Sequence, residues 1–303
     1  MSTRKTDPGG LYCYLATPFD KSGNVDLAVL KDYVQQIVEH GVAGVTCLAS
    51  TCEGPYMTEL ERKNVLEAVS RVASGKLAVN VGIGGVSTRQ AVEAAKQAKD
   101  LGATSLMLEM QQYFPVSFNA AVKHYQTVAE ACDVPIRLYN LTLSTRFDFT
   151  PDRILAMSSI GQIISIKDAS GDVTRLRDIR MLCGDRFTLY CGFHYQALEG
   201  FRFGAQGWEV MMHPSIAAPL VDLYRSLVDD PWSEQSSSLY RALQPLFHFF
   251  KQYGVPQSIK EISNRTSLKF GSVREPLEPL PDIAKRRLHR MMDELADRSI
   301  VSA

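Results

Sequence analysis

The sequence predicts a (β/α)8 TIM barrel with a C-terminal helical appendage, and three observations carry the prediction. Apolar, β-rich runs recur over residues 11–16, 44–49, 77–82, 105–110, 135–140, 162–167, 186–192 and 207–212, with starts 21 to 33 residues apart. Each gap holds a stretch of helical period, which gives one strand and one helix per step. Beyond about residue 215 the pattern is helical without strands. Such alternation argues for a parallel sheet. The count of eight favours closure, because an open doubly wound sheet usually has fewer strands and often a glycine-rich phosphate turn after the first. Here the first strand runs into Ala16-Thr17-Pro18-Phe19, which is no phosphate turn.

The helices carry their own start and stop signals. Asp26 opens the run 26–39, Thr58 with Glu61 reads as a capping box ahead of 58–73, and Ser87-Thr88 precede 88–101. A fourth run covers 118–131. Gly41, Gly75 and Gly102 stand just past helix ends, where a left-handed residue is usually needed. In the tail, 217–228, 233–253, 257–263 and 282–297 read as helices, punctuated by Asp229-Asp230-Pro231-Trp232. The expected organisation is a catalytic barrel over 1–215 and a helical region over 216–303.

Composition narrows the function classes. Among 303 residues, 33 Lys and Arg cancel 33 Asp and Glu, so no basic surplus serves phosphate backbones or anionic lipid, and neither a nucleic acid nor a membrane is expected as partner. Hydrophobic residues at 45% and charged residues at 22% are ordinary globular values. The six cysteines (Cys13, Cys47, Cys52, Cys132, Cys183, Cys191) form no C-x-x-C pair, and the histidines form no H-x-H or H-E-x-x-H. Neither metal-ligand nor redox-motif spacing is present, and reduced thiols are expected. The stretch MSTRKTDPGG is polar, and no apolar run reaches about 18 residues, so a cytoplasmic, unanchored chain is expected.

In such a barrel the reactive groups stand at the carboxyl ends of strands. Strand six ends in Lys167, whose ammonium is costly to bury; desolvation lowers its pKa towards a neutral amine able to attack a ketone. The alternative is a lysine that snorkels to solvent. Tyr139 ends the neighbouring strand and is either a proton relay or a packed core aromatic. Ser50-Thr51 offers two hydroxyls and successive N–H groups, suited to a carboxylate or to an ordinary capping turn. With Tyr113 after strand four, these groups form a candidate Schiff-base site with a proton relay.

At these residues the chain resembles the pyruvate-dependent class I aldolases typified by dihydrodipicolinate synthase and N-acetylneuraminate lyase, over nearly its whole length. Thr17-Pro18-Phe19 matches the family's T-P-F, and Ala49-Ser50-Thr51-Cys52-Glu53 stands at its G-T-T-G-E. Tyr139-Asn140 stands at its Y-N, Ile166-Lys167-Asp168 with Ser170-Gly171-Asp172 at its I-K-D-S-S-G-D, and Gly204-Ala205-Gln206-Gly207 at its G-A-D-G. The resemblance implies an imine between Lys167 and pyruvate or another 2-keto acid, with an aldehyde as further reactant. Tyr139 would move protons, with Ser50 and Tyr113, the latter from across a subunit interface, completing the relay. Thr51 would hold the carboxylate, and the backbone at Glu209 would line the pocket. No cofactor beyond the covalent imine and no metal is implied, and the family implies a homotetramer.

Departures bear on the substrate. Ala49 and Cys52 replace both glycines of G-T-T-G-E, and Ser50 replaces its first threonine. After Tyr139-Asn140 the synthases place an arginine that holds the second substrate's carboxylate; Ser144 stands there, with Arg146 two residues on either as substitute or as a surface charge. That disfavours authentic 4-hydroxy-tetrahydrodipicolinate synthase activity. The stretch 208–214 is two residues longer than usual before Ala217-Ala218-Pro219. His194 and His213 follow strands seven and eight and either bind a polar substrate tail or are structural, as a lone histidine near a loop commonly is. Strand parity puts Arg137 beside Tyr139, and a buried arginine needs a partner, so either it pairs with Glu109 or Glu209 beneath the site or one of these side chains points outward between strand and helix.

The leading expectation is a Schiff-base lyase that cleaves or forms a 2-keto acid with pyruvate as product or substrate. The alternatives are a dehydratase of a 2-keto-3-deoxy sugar acid and a barrel that binds 2-keto acids without turnover.

Overall fold

The structure is a computed structural model describing residues 7–301; residues 1–6 of the polar amino-terminal stretch, and residues 302–303, lie outside the described residues. Eight parallel strands form a closed barrel: β1 (Gly10–Tyr14), β2 (Gly44–Cys47), β3 (Ala78–Gly82), β4 (Ser105–Glu109), β5 (Ile136–Asn140), β6 (Ile163–Asp168), β7 (Thr188–Cys191) and β8 (Gly207–Met211). Each pairs with its successor and β8 closes on β1, Tyr12 opposite Glu209. Every expected strand is present, with ends displaced by no more than two residues. The strands are buried almost throughout, which explains why they read as continuous apolar runs.

The helices of the outer ring start where the sequence signals. Asp26 accepts from two backbone N–H groups of Leu27–Glu39, and Thr58 and Ser87 form reciprocal capping boxes with Glu61 and Gln90. The ring continues through Phe118–Ala131, Pro151–Met157, Thr174–Cys183 and Ala197–Arg202 to Pro214–Asp229. This last helix follows β8 and packs between Ala197–Arg202 and Leu27–Glu39, so it closes the ring, and the boundary expected at 215 falls in its first turn. Helices Glu234–Tyr253, Val255–Asn264 and Asp282–Asp297 form the appendage.

The appendage is tied to the barrel mouth. Lys260 of Val255–Asn264 meets Glu53, in the loop after β2, at 2.6 Å, both side chains being buried. Glu53 also accepts from the backbone N–H of Arg274 at 2.7 Å. Burial lowers the Lys260 pKa to about 8 against the opposing pull of Glu53. These contacts fix the turn that carries Ser50 and Thr51.

The barrel floor is polar and aromatic. The rings of Tyr12 and Tyr190 fill it, and Gly44 and Gly207 make room for them: a Cβ at Gly44 would stand 2.4 Å from the Tyr12 ring, and one at Gly207 2.2 Å from the Tyr190 ring. Between the two rings lies the Arg137 guanidinium, 3.6 Å from the Tyr190 centroid and 4.5 Å from that of Tyr12.

Candidate active site

A cavity of about 590 Å3 opens at the carboxyl-terminal mouth of the barrel. Its lining brings together Lys167, Tyr139, Ser50, Thr51, Tyr113, Ser144 and Glu209, with Glu109 and His194, from among the residues singled out in the sequence. Lys167 and Tyr139 stand near the ends of β6 and β5, Glu209 lies midway along β8, and Ser50, Thr51, Tyr113 and Ser144 come from the connections after β2, β4 and β5, the mouth where this architecture concentrates reactive groups.

Lys167 does not snorkel. It is 2% exposed, and its Nζ donates to the Tyr14 hydroxyl at 2.7 Å and lies 3.3 Å from Glu209 Oε2. It sits 3.9 Å from the Tyr14 ring centroid and 4.3 Å from that of Tyr139. Burial lowers its pKa, opposed by the Glu209 carboxylate. Tyr139 is buried beside it, and burial, reinforced by Glu109, pushes its phenol well above the usual value, so it carries its proton at neutral pH. The Ser50 hydroxyl interacts with that phenol closely enough to oppose the rise, yet Ser50 Oγ is buried without a hydrogen bond of good geometry. An unsatisfied buried hydroxyl of this kind is free to engage a ligand or the phenol itself.

Glu209 is the centre of a buried charge network beneath the lysine. Its Oε1 accepts from Arg137 Nη1, from Asn80 Nδ2 at 3.1 Å and from Thr46 Oγ1 at 3.2 Å. Arg137 Nη2 in turn donates to Asp7 Oδ2 at 2.7 Å, and Tyr190 donates to Asp7 Oδ1 at 2.7 Å. Of the two partners expected for Arg137, the structure selects Glu209. Glu109 instead accepts from Gln111 at 2.8 Å and faces the cavity, its pKa raised by burial. Behind Glu109 lies a second cavity of about 350 Å3, lined by Arg62, Glu59 and Gln90, which Lys167 does not reach.

Two of the candidate binding residues, Arg146 and His213, stand outside the cavity lining. Arg146 ends the short helix Thr142–Thr145 in the left-handed region at φ 55°; it is exposed and absent from the cavity lining. His213 caps helix Pro214–Asp229: its Nδ1 accepts the Ser215 N–H at 3.2 Å and its Nε2 faces the Leu268 carbonyl oxygen at 3.2 Å, so the ring is spent on structure. His194 does line the cavity, with Nε2 3.2 Å from the Met211 carbonyl oxygen. Burial lowers the pKa of both histidines to about 4, leaving them neutral.

Sequence reasoning missed Tyr14 and Asp7. Tyr14 was legible in principle, since it shares strand parity with Tyr12 and ends the first strand. Asp7 stands 130 residues from Arg137 in a polar terminal stretch, and no local pattern announces it. Tyr113 lines the cavity yet is 84% exposed, packed edge-on against the equally outlying Phe114.

The family model described as the dihydrodipicolinate synthetase family matches residues 7–295. Similar curated proteins include the 4-hydroxy-tetrahydrodipicolinate synthase of Oceanobacillus iheyensis, 26% identical over 97% of this chain and 99% of that protein. That of Prochlorococcus marinus is 29% identical over 95% and 96%. Among solved structures, the chloride-inhibited dihydrodipicolinate synthase of Acinetobacter baumannii, complexed with pyruvate, superposes with a TM-score of 0.91 at 26% identity, over 97% of this chain and 100% of that one. The dihydrodipicolinate synthase of Agrobacterium tumefaciens does so with 0.88 at 27%, over 95% and 98%. The match spans barrel and appendage alike, and with it the chain belongs to the dihydrodipicolinate synthetase family, as a lyase of class I aldolase type.

Proposed function

We propose that the protein forms an imine between Lys167 and the keto carbon of pyruvate and uses it to make or break a carbon–carbon bond to an aldehyde. The observation that carries the reading is the buried Lys167 amine, held between Tyr14 and Tyr139 at the base of the cavity. Burial favours the neutral amine that must attack, and the Glu209 carboxylate favours the positive charge once the imine is protonated.

The neutral amine adds to the keto carbon, the carbinolamine loses water, and the resulting iminium draws electrons from the neighbouring carbon. In the synthetic direction, loss of a methyl proton gives an enamine, its carbon attacks the aldehyde carbonyl, and the aldehyde oxygen takes up a proton. Water then releases the 2-keto acid and restores Lys167. Cleavage runs these steps in reverse. The Tyr139 phenol is placed to carry the protons, with Ser50 beside it, and the Ser50-Thr51 turn is placed to receive the keto acid's carboxylate. The scheme needs no metal or organic cofactor beyond the imine itself. The exposed rings of Tyr113 and Phe114 suit coverage by a second copy of the chain, in line with a homotetramer that completes the relay through Tyr113. Among the described residues no helix is long and apolar enough to cross a membrane, and a cytoplasmic setting is part of the proposal.

Borohydride added with pyruvate tests the reading: a mass increase located on Lys167 is expected, and its absence with pyruvate and other 2-keto acids overturns both the lyase and the dehydratase readings. Screening 2-keto-3-deoxy acids for release of pyruvate plus aldehyde, against release of water alone, separates those two.

A further inference from the structure

The cavity is larger than a three-carbon keto acid requires; about 590 Å3 lies in the range of sites that enclose ligands several times that size, ~300–1,000 Å3. The space beyond Lys167 therefore belongs to the second reactant, and its lining states what that reactant resembles. Leu141 and Leu143 from the loop after β5, Phe193 from the loop after β7, Val255 from the appendage and Leu277 form a largely apolar mouth. Ser144 and Gln257 supply uncharged polar groups there.

The charges of the lining are one-sided. Among the described lining residues Lys167 is the one cation, and as the imine its charge stays at the base of the cavity beside Glu209. His194, the other group able to carry positive charge, is buried at the Met211 carbonyl oxygen and stays neutral. Two carboxylates, Glu109 and Glu209, are the acidic groups of the lining, beside four tyrosines. Nearby cations are committed elsewhere: Arg62 donates to the carbonyl oxygens of Gly54 and Gly82, Lys260 pairs with Glu53, and Arg274 pairs with Glu61. A second anionic reactant would be desolvated in a mouth that offers no cationic side chain to pair with it, whereas an apolar group gains by leaving water.

Building on the imine reading above, we infer that the second reactant of this site is an uncharged aldehyde bearing an apolar group, aryl or branched alkyl, rather than one bearing a carboxylate. The apolar tail lies against Leu141, Leu143 and Phe193, and the carbonyl points inward to the imine.

The test uses the full-length protein with pyruvate and four aldehydes: benzaldehyde and 3-methylbutanal as apolar probes, succinic semialdehyde as the carboxylate probe and glyceraldehyde as the hydroxylated neutral probe. Adduct formation is followed by mass spectrometry. The apolar aldehydes are expected to react with kcat/KM on the order of 100-fold above succinic semialdehyde, and above glyceraldehyde. A preference for succinic semialdehyde or glyceraldehyde, or reaction with no aldehyde at all while Lys167 still traps pyruvate, overturns the inference and leaves the imine reading standing. Failure to trap pyruvate is the separate failure of that reading. The variant Leu143→Arg, at an exposed position where folding is not at stake, is expected to shift the ratio towards succinic semialdehyde by about 10-fold; an unmoved ratio shows that the second reactant does not use this mouth and counts against the inference.

Discussion

At the scale of single residues the account turns on how one amine is held. Lys167 is pushed towards neutrality by burial and pulled back by Glu209, whose other oxygen is tied to Arg137. Replacing Glu209 by Gln removes the pull, so the Lys167 pKa falls further. The neutral amine then persists to lower pH, and the acid limb of the pH profile for imine trapping moves acidward. An unmoved limb in a folded Glu209→Gln protein would show that the carboxylate serves only the Arg137 network. Arg137 retains Asp7 in that variant, which limits the damage to folding. Tyr139→Phe keeps the ring and deletes the proton; turnover is expected to drop by on the order of 10²- to 10⁴-fold while borohydride still labels Lys167. Loss of labelling together with turnover would place Tyr139 in imine formation itself rather than in the later proton transfers.

At the scale of elements, the strands and their order were legible because parallel strands buried on both faces leave continuous apolar runs, and the helices were legible because their caps are written in Asp26, Thr58 and Ser87. The short helix Thr142–Thr145 was not, since four residues ending in a left-handed Arg146 carry too little period to read. For the same reason Arg146 looked available to substrate when its backbone turns it outward. His213 looked available because it follows β8, yet a helix start must satisfy its free N–H groups, and this ring does so for Ser215. One element contact makes a quantitative prediction. Gly207→Ala drives a methyl group into the Tyr190 ring that stacks on Arg137, and overpacking of this kind costs about 1–3 kcal/mol. Denaturant unfolding at constant slope checks it; a midpoint equal to that of the parent would show that the floor is loosely packed.

At the scale of the whole molecule, the appendage and the barrel are joined through buried charge. Lys260→Met leaves Glu53 buried without its cation, for an expected loss of about 3–5 kcal/mol. Calorimetry checks the loss, and a neutral outcome would mean that Glu53 reaches water or takes a proton at no cost. Acid stability follows in part from the buried His194 and His213. Their folded pKa of about 4 lies below the unfolded value near 6.5, so below about pH 6.5 the unfolded chain binds protons that the folded one refuses, and stability falls as pH drops towards 4. Each histidine contributes up to roughly 3 kcal/mol to that loss. Unfolding midpoints at about pH 7 and pH 4.5 should therefore differ less in His194→Gln/His213→Asn than in the parent.

The same scale explains what the sequence did and did not disclose about the site. Groups at strand ends, Lys167, Tyr139 and the Ser50-Thr51 turn, could be read because the architecture dictates where they point. The partners that tune them, Tyr14 and Asp7, meet Lys167 and Arg137 only when the barrel closes, across separations of 153 and 130 residues. The neutral net charge anticipated from composition leaves no long-range field to gather an anionic keto acid, so capture rests on the local groups at the barrel mouth. The most direct test of the central claim is borohydride reduction in the presence of pyruvate, followed by peptide mass mapping of the parent and of Lys167→Ala. The account predicts one pyruvate-derived adduct, on Lys167, lost in the variant; an adduct on another lysine, or none in the parent, would contradict it.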